Sequence, residues 1–180
     1  MPVLAIFGTW RAPEEGVLYR FAHDCAAAAA RAGWSVATGG YSGVMDAGLR
    51  GAREGGTVAI AHAWSGLDGV LPVSGNAGVV HTHARIADRI AALVGQADAC
   101  LVLPGRLGTV AELTLALECR AKGQLRLPVM LYGSFWEPFL AWLRASNASL
   151  ELPVDAAAPP LHARVDDARE VDSLLRSLAS

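Results

Sequence analysis

The stretch CLVLPGRLGTVAEL, residues 100–113, combines a short apolar run, a glycine-containing turn and the start of a helix. The apolar run stops at Pro104, and Gly105 and Gly108 follow it. From Thr109 onward, apolar side chains recur with helical spacing. This order of buried strand, tight turn and helix is typical of a parallel sheet that is covered by helices.

The same order of strand, turn and helix recurs along the whole chain. Strands are predicted at residues 3–7, 35–38, 57–61, 99–103 and 128–131, and helices at residues 13–32, 44–54, 84–96, 110–122, 135–145 and 168–178. The alternation predicts an α/β fold, a Rossmann-like doubly wound parallel sheet with helices on both faces. Sheets of this kind bind ligands outside the carboxyl ends of their strands.

A single domain is expected to span residues 1–180, because the chain is long enough for one full core. Hydrophobic residues make up 53% of it and charged residues 18%, which excludes an extensively disordered chain. Residues 62–79 are predicted to form a long loop, of the kind that is usually functional or mobile. Residues 150–180 are expected to form a proline-rich connection and a terminal helix that docks back onto the domain.

The formal net charge of -2 gives no electrostatic reason to expect nucleic acid or an anionic membrane as a partner. No apolar run reaches the length of a membrane-spanning helix, and the first residues lack the basic start of a signal peptide. Cys25, Cys100 and Cys119 are far apart and form no CxxC pair, so free thiols are expected. These observations favour a cytoplasmic protein.

The turn LPGRLGTVAE, residues 103–112, has the features of an anion site. Gly105 and Gly108 allow the backbone to approach a ligand closely, and free N–H groups would point outward where the helix starts. A phosphate or another compact anion is therefore predicted over residues 105–110. An ordinary turn in which Thr109 caps the helix is an equally good interpretation of the spacing.

Glu112 also has two interpretations. The spacing from Thr109 to Glu112 matches a capping box, in which the carboxylate accepts a hydrogen bond from the threonine N–H. Glu112 also lies off the apolar stripe of the predicted helix and near its ligand end. A carboxylate there could stabilise positive charge that develops on a substrate, or polarise a water molecule.

A second glycine turn, TGGYSGVMD at residues 38–46, also precedes a predicted helix. It matches neither a Walker A loop nor a clean GxGxxG fingerprint, so alone it is a weak signal. Together with the turn at residues 103–112, it indicates a ligand that lies across two strand ends.

Arg85 and Arg89 share one face of a predicted helix. They either belong to a solvated face with Asp88 as a local ion-pair partner, or contact an anionic ligand. His81 and His83 form an H-x-H pair, but no third ligand with suitable spacing follows, so metal binding is not favoured. No GxSxG motif supports a serine nucleophile.

Read together, TGGYSGVMDAGLRGAREGG at residues 38–56 and DRIAALVGQADACLVLPGRLGTVAEL at residues 88–113 resemble the LOG family, formerly labelled "possible lysine decarboxylase". The resemblance covers about residues 3–145, and the TGGYxGVM form is similar to a less characterised branch. It implies a Rossmann-like nucleotide-binding fold and a phosphoribohydrolase that splits a nucleoside 5′-monophosphate into free base and ribose 5-phosphate. It also implies a homodimer, with the helix around Arg89 and the aromatic helix from Phe135 as candidate contacts, and no metal or redox cofactor.

The resemblance assigns the site residue by residue. Its PGGxGTxxE motif maps onto residues 104–112, which makes Glu112 the catalytic glutamate, and the spacing upstream places the catalytic arginine at Arg89. In the implied mechanism Arg89 fixes the substrate and balances charge, while Glu112 stabilises the oxocarbenium character of the ribose and guides water. The nucleotide-binding positions implied are Gly8, Thr9, Gly39, Gly40, Gly43, Met45, Gly105, Arg106, Gly108 and Thr109.

Two departures from the family pattern leave an alternative open. Arg106 stands where the motif has its second glycine, and Ile90 stands where a lysine follows the catalytic arginine. Both favour a non-catalytic nucleotide-binding or sensing module of the same fold, whereas the retained Arg89 and Glu112 favour the enzyme. Amino-acid decarboxylation lacks support, because Lys122 is the only lysine and has no plausible pyridoxal context.

Overall fold

The fold is built on one parallel sheet of seven strands, seen in a computed structural model that describes residues 1–126, 128–149 and 160–177. The strands are β1 (Val3–Phe7), β2 (Ser35–Thr38), β3 (Ala59–Trp64), β4 (Val79–His83), β5 (Ala99–Val102), β6 (Val129–Tyr132) and β7 (His162–Val165). Their order is β4-β3-β2-β1-β5-β6-β7, and all neighbouring pairs are parallel. The chain thus runs from β1 to one edge, returns to the centre, and continues to the other edge.

Helices cover both faces of this sheet. They are α1 (Val17–Arg31), α2 (Val44–Glu54), α3 (Ile86–Gly95), α4 (Leu107–Ala121), α5 (Glu137–Ser149) and α6 (Ala168–Arg176), with a 3₁₀ turn at Ser65–Leu67. On β1, Leu4 and Ile6 pack with α1, α2 and α6, whereas Ala5 and Phe7 pack with α3, α4 and α5. Alternate residues of β1 therefore belong to two hydrophobic cores, one on each face of the sheet. This arrangement confirms the predicted doubly wound α/β fold. In the described ranges, no helix combines the length and apolarity needed to cross a membrane.

Two edge strands, β4 and β7, lie where no strand is predicted. The predicted loop at residues 62–79 is wrong at both ends, because β3 continues to Trp64 and β4 begins at Val79. The residues of β4 are mostly exposed, so this strand lacks the continuous apolar run that marks a buried strand. The predicted proline-rich connection falls largely on residues outside the described ranges.

Several helix boundaries also differ from the prediction. The helix α1 begins at Val17 rather than at Pro13, because residues 13–16 form a turn in which the Gly16 N–H donates to the Pro13 carbonyl at 2.8 Å. The helix α4 begins at Leu107 rather than at residue 110. The terminal helix α6 packs into the core through Val171 and Leu175.

The strand order reverses between β1 and β5, and the loops after β1, β2 and β5 meet at that point. Thr9 ties them together: its N–H donates to the Pro104 carbonyl (3.1 Å), and its carbonyl accepts from the Val44 N–H (3.0 Å). Gly43 enters α2 with a φ of +66°, and a side chain there would overlap the backbone of Trp10. A crevice at such a reversal is where doubly wound sheets bind ligands.

Candidate functional site

A cavity of about 660 Å³ opens at this crevice, beyond the carboxyl ends of the central strands. The loops after β1 and β2 contribute to its lining, as do α3 and the start of α4. The predicted site residues that line it are Gly8, Thr9, Gly39, Met45, Arg89, Arg106, Gly108, Thr109 and Glu112. The fold thus brings residues that are far apart in the sequence to one cavity.

Gly40, Gly43 and Gly105 are also predicted site residues, but they do not line the cavity. Gly40 has a φ of +85°, and a Cβ there would lie 2.9 Å from the Ala61 Cβ. Gly105 packs so closely on Thr109 that any Cβ would overlap the threonine side chain. The structure gives these glycines a role in bringing the surrounding backbone segments together.

The start of α4, residues 106–109, lines the cavity. Arg106 is the residue before the helix, its side chain makes no capping hydrogen bond, and its carbonyl accepts the first intrahelical bond, from the Val110 N–H (2.9 Å). The amides of residues 107–109 precede that bond and form the open first turn. Thr109 is therefore not the N-cap, and Glu112 does not close a capping box with it; both of these interpretations are wrong.

The side chain of Arg89 is held in place by hydrogen bonds to two backbone carbonyls. Its side chain is buried, with the whole residue 8% exposed. The Nε donates to the His62 carbonyl at 2.6 Å, and one terminal nitrogen, Nη2, donates to the Gly39 carbonyl at 3.0 Å. The guanidinium carbon also lies 5.8 Å from the centre of the Tyr41 ring. These contacts exclude the interpretation of Arg89 as a solvated surface residue.

Gly39 makes room for this arrangement. A Cβ at residue 39 would collide with Nη2 of Arg89. The glycine following β2 therefore allows the guanidinium to reach the backbone carbonyl. Arg89 is thereby fixed to the residue that follows β2 and to the backbone of β3.

Glu112 completes the buried polar group of the cavity. It is 7% exposed, and its Oε1 lies 3.9 Å from Nη1 of Arg89. Burial raises the pKa of Glu112 to about 7, although the nearby Arg89 acts in the opposite direction. A carboxyl with a pKa near neutrality can both accept and release a proton at physiological pH.

Aromatic and aliphatic side chains form the remaining walls, and the sequence interpretation did not assign them to the site. They include Trp10, Tyr41, Trp64, Leu67, Val70, Leu71, Ile86 and Leu107. Two features of the sequence indicated that some of these residues belong to the site. Tyr41 lies inside the TGGYSGVMD turn, and the glycine-containing segment at residues 62–79 has the features of a functional loop. Neither signal indicates which side chains face the ligand.

The H-x-H pair joins a third histidine behind the cavity. The His62 Nδ1 lies 3.0 Å from the His83 Nε2, and the rings of His62 and His81 are 5.2 Å apart. Burial lowers the pKa of His62 to about 4, so its imidazole is neutral. No group of three or more metal-ligating side chains in the described ranges is arranged to hold a metal ion.

Comparison with known proteins gives one family match. A family model described as "Possible lysine decarboxylase" matches residues 28–174, which is most of the chain. A search of curated proteins gives no match.

Solved structures share the fold over nearly the full length. The molybdenum cofactor binding protein of Rippkaea orientalis has a TM-score of 0.74 and 21% identity, covering 99% of this chain and 98% of its own. The molybdenum cofactor carrier protein of Chlamydomonas reinhardtii has a TM-score of 0.72 and 22% identity, covering 99% of each chain. At these identities, the likeness establishes a common fold.

Proposed function

The chain belongs to the family described as possible lysine decarboxylase, and on that premise we propose that its cavity binds a nucleoside 5′-monophosphate and hydrolyses the N-glycosidic bond. The products are the free base and ribose 5-phosphate. The observation that carries the proposal is the buried pair of Arg89 and Glu112, which meets at 3.9 Å inside the cavity. A buried ionisable pair at a ligand-sized opening is a frequent property of catalytic sites.

The start of α4 supports an anion at one end of the cavity. The open amides of residues 107–109 and the positive end of the helix dipole favour a phosphate group there. Arg106 lines the same end, is exposed, and has no ion-pair partner in the described part of the chain. Arg106 therefore supplies an additional cation to the phosphate.

Arg89 and Glu112 act on the sugar. As the bond between C1′ and the base nitrogen breaks, the carboxylate of Glu112 faces the positive charge that develops on the ribose. A water oxygen then bonds to C1′, Glu112 takes one of its protons, and that proton passes to the departing base nitrogen. Arg89 keeps the carboxylate oriented. One electrostatic group placed in this way lowers the barrier by roughly 3–4 kcal/mol.

The position of Lys122 argues against decarboxylation of an amino acid through a lysine-bound cofactor. Lys122 follows the last residue of α4, whereas the cavity lies at the first turn of this helix. The helix has 15 residues, so the two ends are about 20 Å apart. The side chain of Lys122 is exposed and pairs with Glu118 at 3.6 Å.

A second candidate is a carrier that binds a phosphate-bearing cofactor without turnover. It is favoured by the full-length likeness to two proteins named for binding or carrying the molybdenum cofactor. The arginine at position 106 also favours it, since this side chain adds bulk beside the phosphate end. The other departure from the family pattern is Ile90, which stands where a lysine is expected. It favours neither the hydrolase nor the carrier, because it packs against the core and does not line the cavity.

Product analysis separates the two candidates. Incubation with AMP should yield adenine and ribose 5-phosphate in equal amounts. The Glu112→Gln variant should lose this release, whereas Glu118→Gln, an exposed carboxylate of the same helix, should retain it. Binding of AMP without release by the native protein would support the carrier and reject the hydrolase.

Two further properties belong to the proposal. A cytoplasmic location is supported by the three free cysteines, of which Cys25 and Cys100 are buried. A homodimer is supported by two exposed aromatic side chains, Phe135 just before α5 and Trp142 within it. Sedimentation equilibrium tests the dimer, which should have twice the 18.8 kDa mass of the chain.

A further inference from the structure

One wall of the cavity is entirely apolar in its side chains. It consists of Trp64 at the end of β3 and of Leu67, Val70 and Leu71 in the segment that follows, and it is called the loop wall below. The charged side chains Arg89, Arg106 and Glu112 come from α3 and from the start of α4. The lining therefore has an ionic side and an apolar side.

Three backbone amides of the segment that carries the loop wall are hydrogen-bonded within that segment. The N–H groups of Val70 and Leu71 both donate to the Leu67 carbonyl, at 2.9 and 3.0 Å. The N–H of Asp68 donates to the Ser65 carbonyl at 3.1 Å. These donors are consequently not free to bind the polar edge of a ligand.

The polar groups of Trp64 also have hydrogen-bond partners within the protein. Its backbone N–H donates to the Tyr41 hydroxyl (2.8 Å), which in turn donates to the Trp64 carbonyl (3.1 Å). The indole Nε1 donates to the Ala84 carbonyl at 3.3 Å. Gly66 packs directly on the indole, since a Cβ at that position would collide with the ring. Trp64 therefore presents a fixed aromatic surface whose polar groups are already bonded.

We infer that the loop wall binds the ring of the ligand by stacking and apolar contact and does not read the hydrogen-bonding edge of the base. The substrate class is then any 5′-monophosphate with a planar base, purine or pyrimidine. Stacking on an aromatic side chain tolerates different bases, because each base has a π-face. This inference rests on the proposed function and specifies the ligand of the same cavity.

Calorimetric titration with AMP, GMP, UMP and ribose 5-phosphate tests the inference when it is carried out on the Glu112→Gln variant, which should bind the nucleotides without hydrolysing them. The three nucleotides should have Kd values within about threefold of one another, and each should bind about tenfold more tightly than ribose 5-phosphate. A preference of tenfold or more for one base would overturn the inference. If ribose 5-phosphate and the nucleotides all fail to bind, the proposed function itself is wrong.

Variants of Trp64 test whether this side chain stacks on the base. Trp64→Leu should weaken AMP binding about tenfold and leave the Kd of ribose 5-phosphate unchanged, which also shows that the variant is folded. Trp64→Phe keeps an aromatic face and should restore most of the AMP affinity. These variants are made in the same Glu112→Gln background, and equal AMP affinity with and without Trp64→Leu would overturn the inference.

Discussion

Arg89 and Glu112 lie on different helices, yet Nη1 of the arginine and Oε1 of the glutamate are 3.9 Å apart inside the cavity. The contact depends on two backbone carbonyls of the sheet region: those of Gly39, just after β2, and of His62, within β3, accept hydrogen bonds from the other nitrogens of the guanidinium. The sheet thus fixes the cation, and α4 brings the carboxylate to it.

Gly39→Ala should displace the guanidinium of Arg89, because the new methyl group collides with Nη2. The backbone at residue 39 is not in the left-handed region, so the effect is steric. We expect a loss of about 2 kcal/mol in the free energy of unfolding, measured by denaturant titration, and weaker AMP binding. Gly95→Ala is the matched control, since its Cβ meets no atom within 4 Å. Equal behaviour of the two variants would contradict the role of Gly39.

The contribution of Glu112 to the stability of the native protein should fall as the pH rises from about 4.5 to about 7. Burial raises the pKa of Glu112 from 4.5 to about 7, so in this range the folded state binds more protons than the unfolded state. Glu112→Gln resembles the protonated form at every pH. Relative to the native protein, the variant should therefore gain up to about 3 kcal/mol between pH 4 and pH 8.

Denaturant unfolding of both proteins across this pH range measures that difference. A variant that loses stability relative to the native protein as the pH rises through this range would show that attraction to Arg89 outweighs desolvation. The pKa of Glu112 would then be lowered instead of raised.

Arg106→Gln should weaken the binding of AMP about tenfold, because it removes the exposed cation beside the phosphate end. The salt dependence of the Kd should decrease as well, since an exposed charge is screened by salt. Arg31→Gln removes an exposed charge from the last turn of α1 and serves as the matched control. Tighter binding by Arg106→Gln would instead identify Arg106 as an obstruction of the site.

Asp46→Ala should loosen the segment that includes the loop wall. The Asp46 carboxylate accepts hydrogen bonds from the Ser74 hydroxyl, the Asn76 amide (2.9 Å) and the Tyr19 hydroxyl (2.5 Å). Its loss leaves these partly buried donors unpaired, at a cost of about 2 kcal/mol. Faster amide hydrogen exchange at residues 68–78 is the expected result. Unchanged exchange, as expected for the exposed control Asp24→Ala, would show that Asp46 does not hold this segment.

The central strands were predictable because they are almost entirely buried and consist mostly of apolar residues bounded by turn signals. Strands β1 and β2 coincide with their predicted bounds, and β5 differs by one residue. The edge strands β4 and β7 escaped prediction, since a strand that is exposed on one side carries no continuous apolar run. Position in the sheet, which local sequence does not encode, decides this difference.

Within the site, the family resemblance and the residue spacing gave predictions of different quality. The resemblance placed Arg89 and Glu112 in one site, and the structure brings them together; their catalytic role stays a prediction. Spacing alone favoured a helix start at Thr109, but the helix begins at Leu107 because Arg106 adopts the extended backbone of an N-cap without a capping side chain. The loop wall depends on contacts between separate segments, so no local motif indicates it.

The most direct test of the proposed hydrolysis is to measure AMP binding and adenine release for the native protein and for Glu112→Gln side by side. We expect the variant to bind AMP with nearly the native affinity, while the release of adenine falls roughly 100- to 1,000-fold. Release at the native rate by the variant would contradict the assignment of Glu112 as the catalytic group.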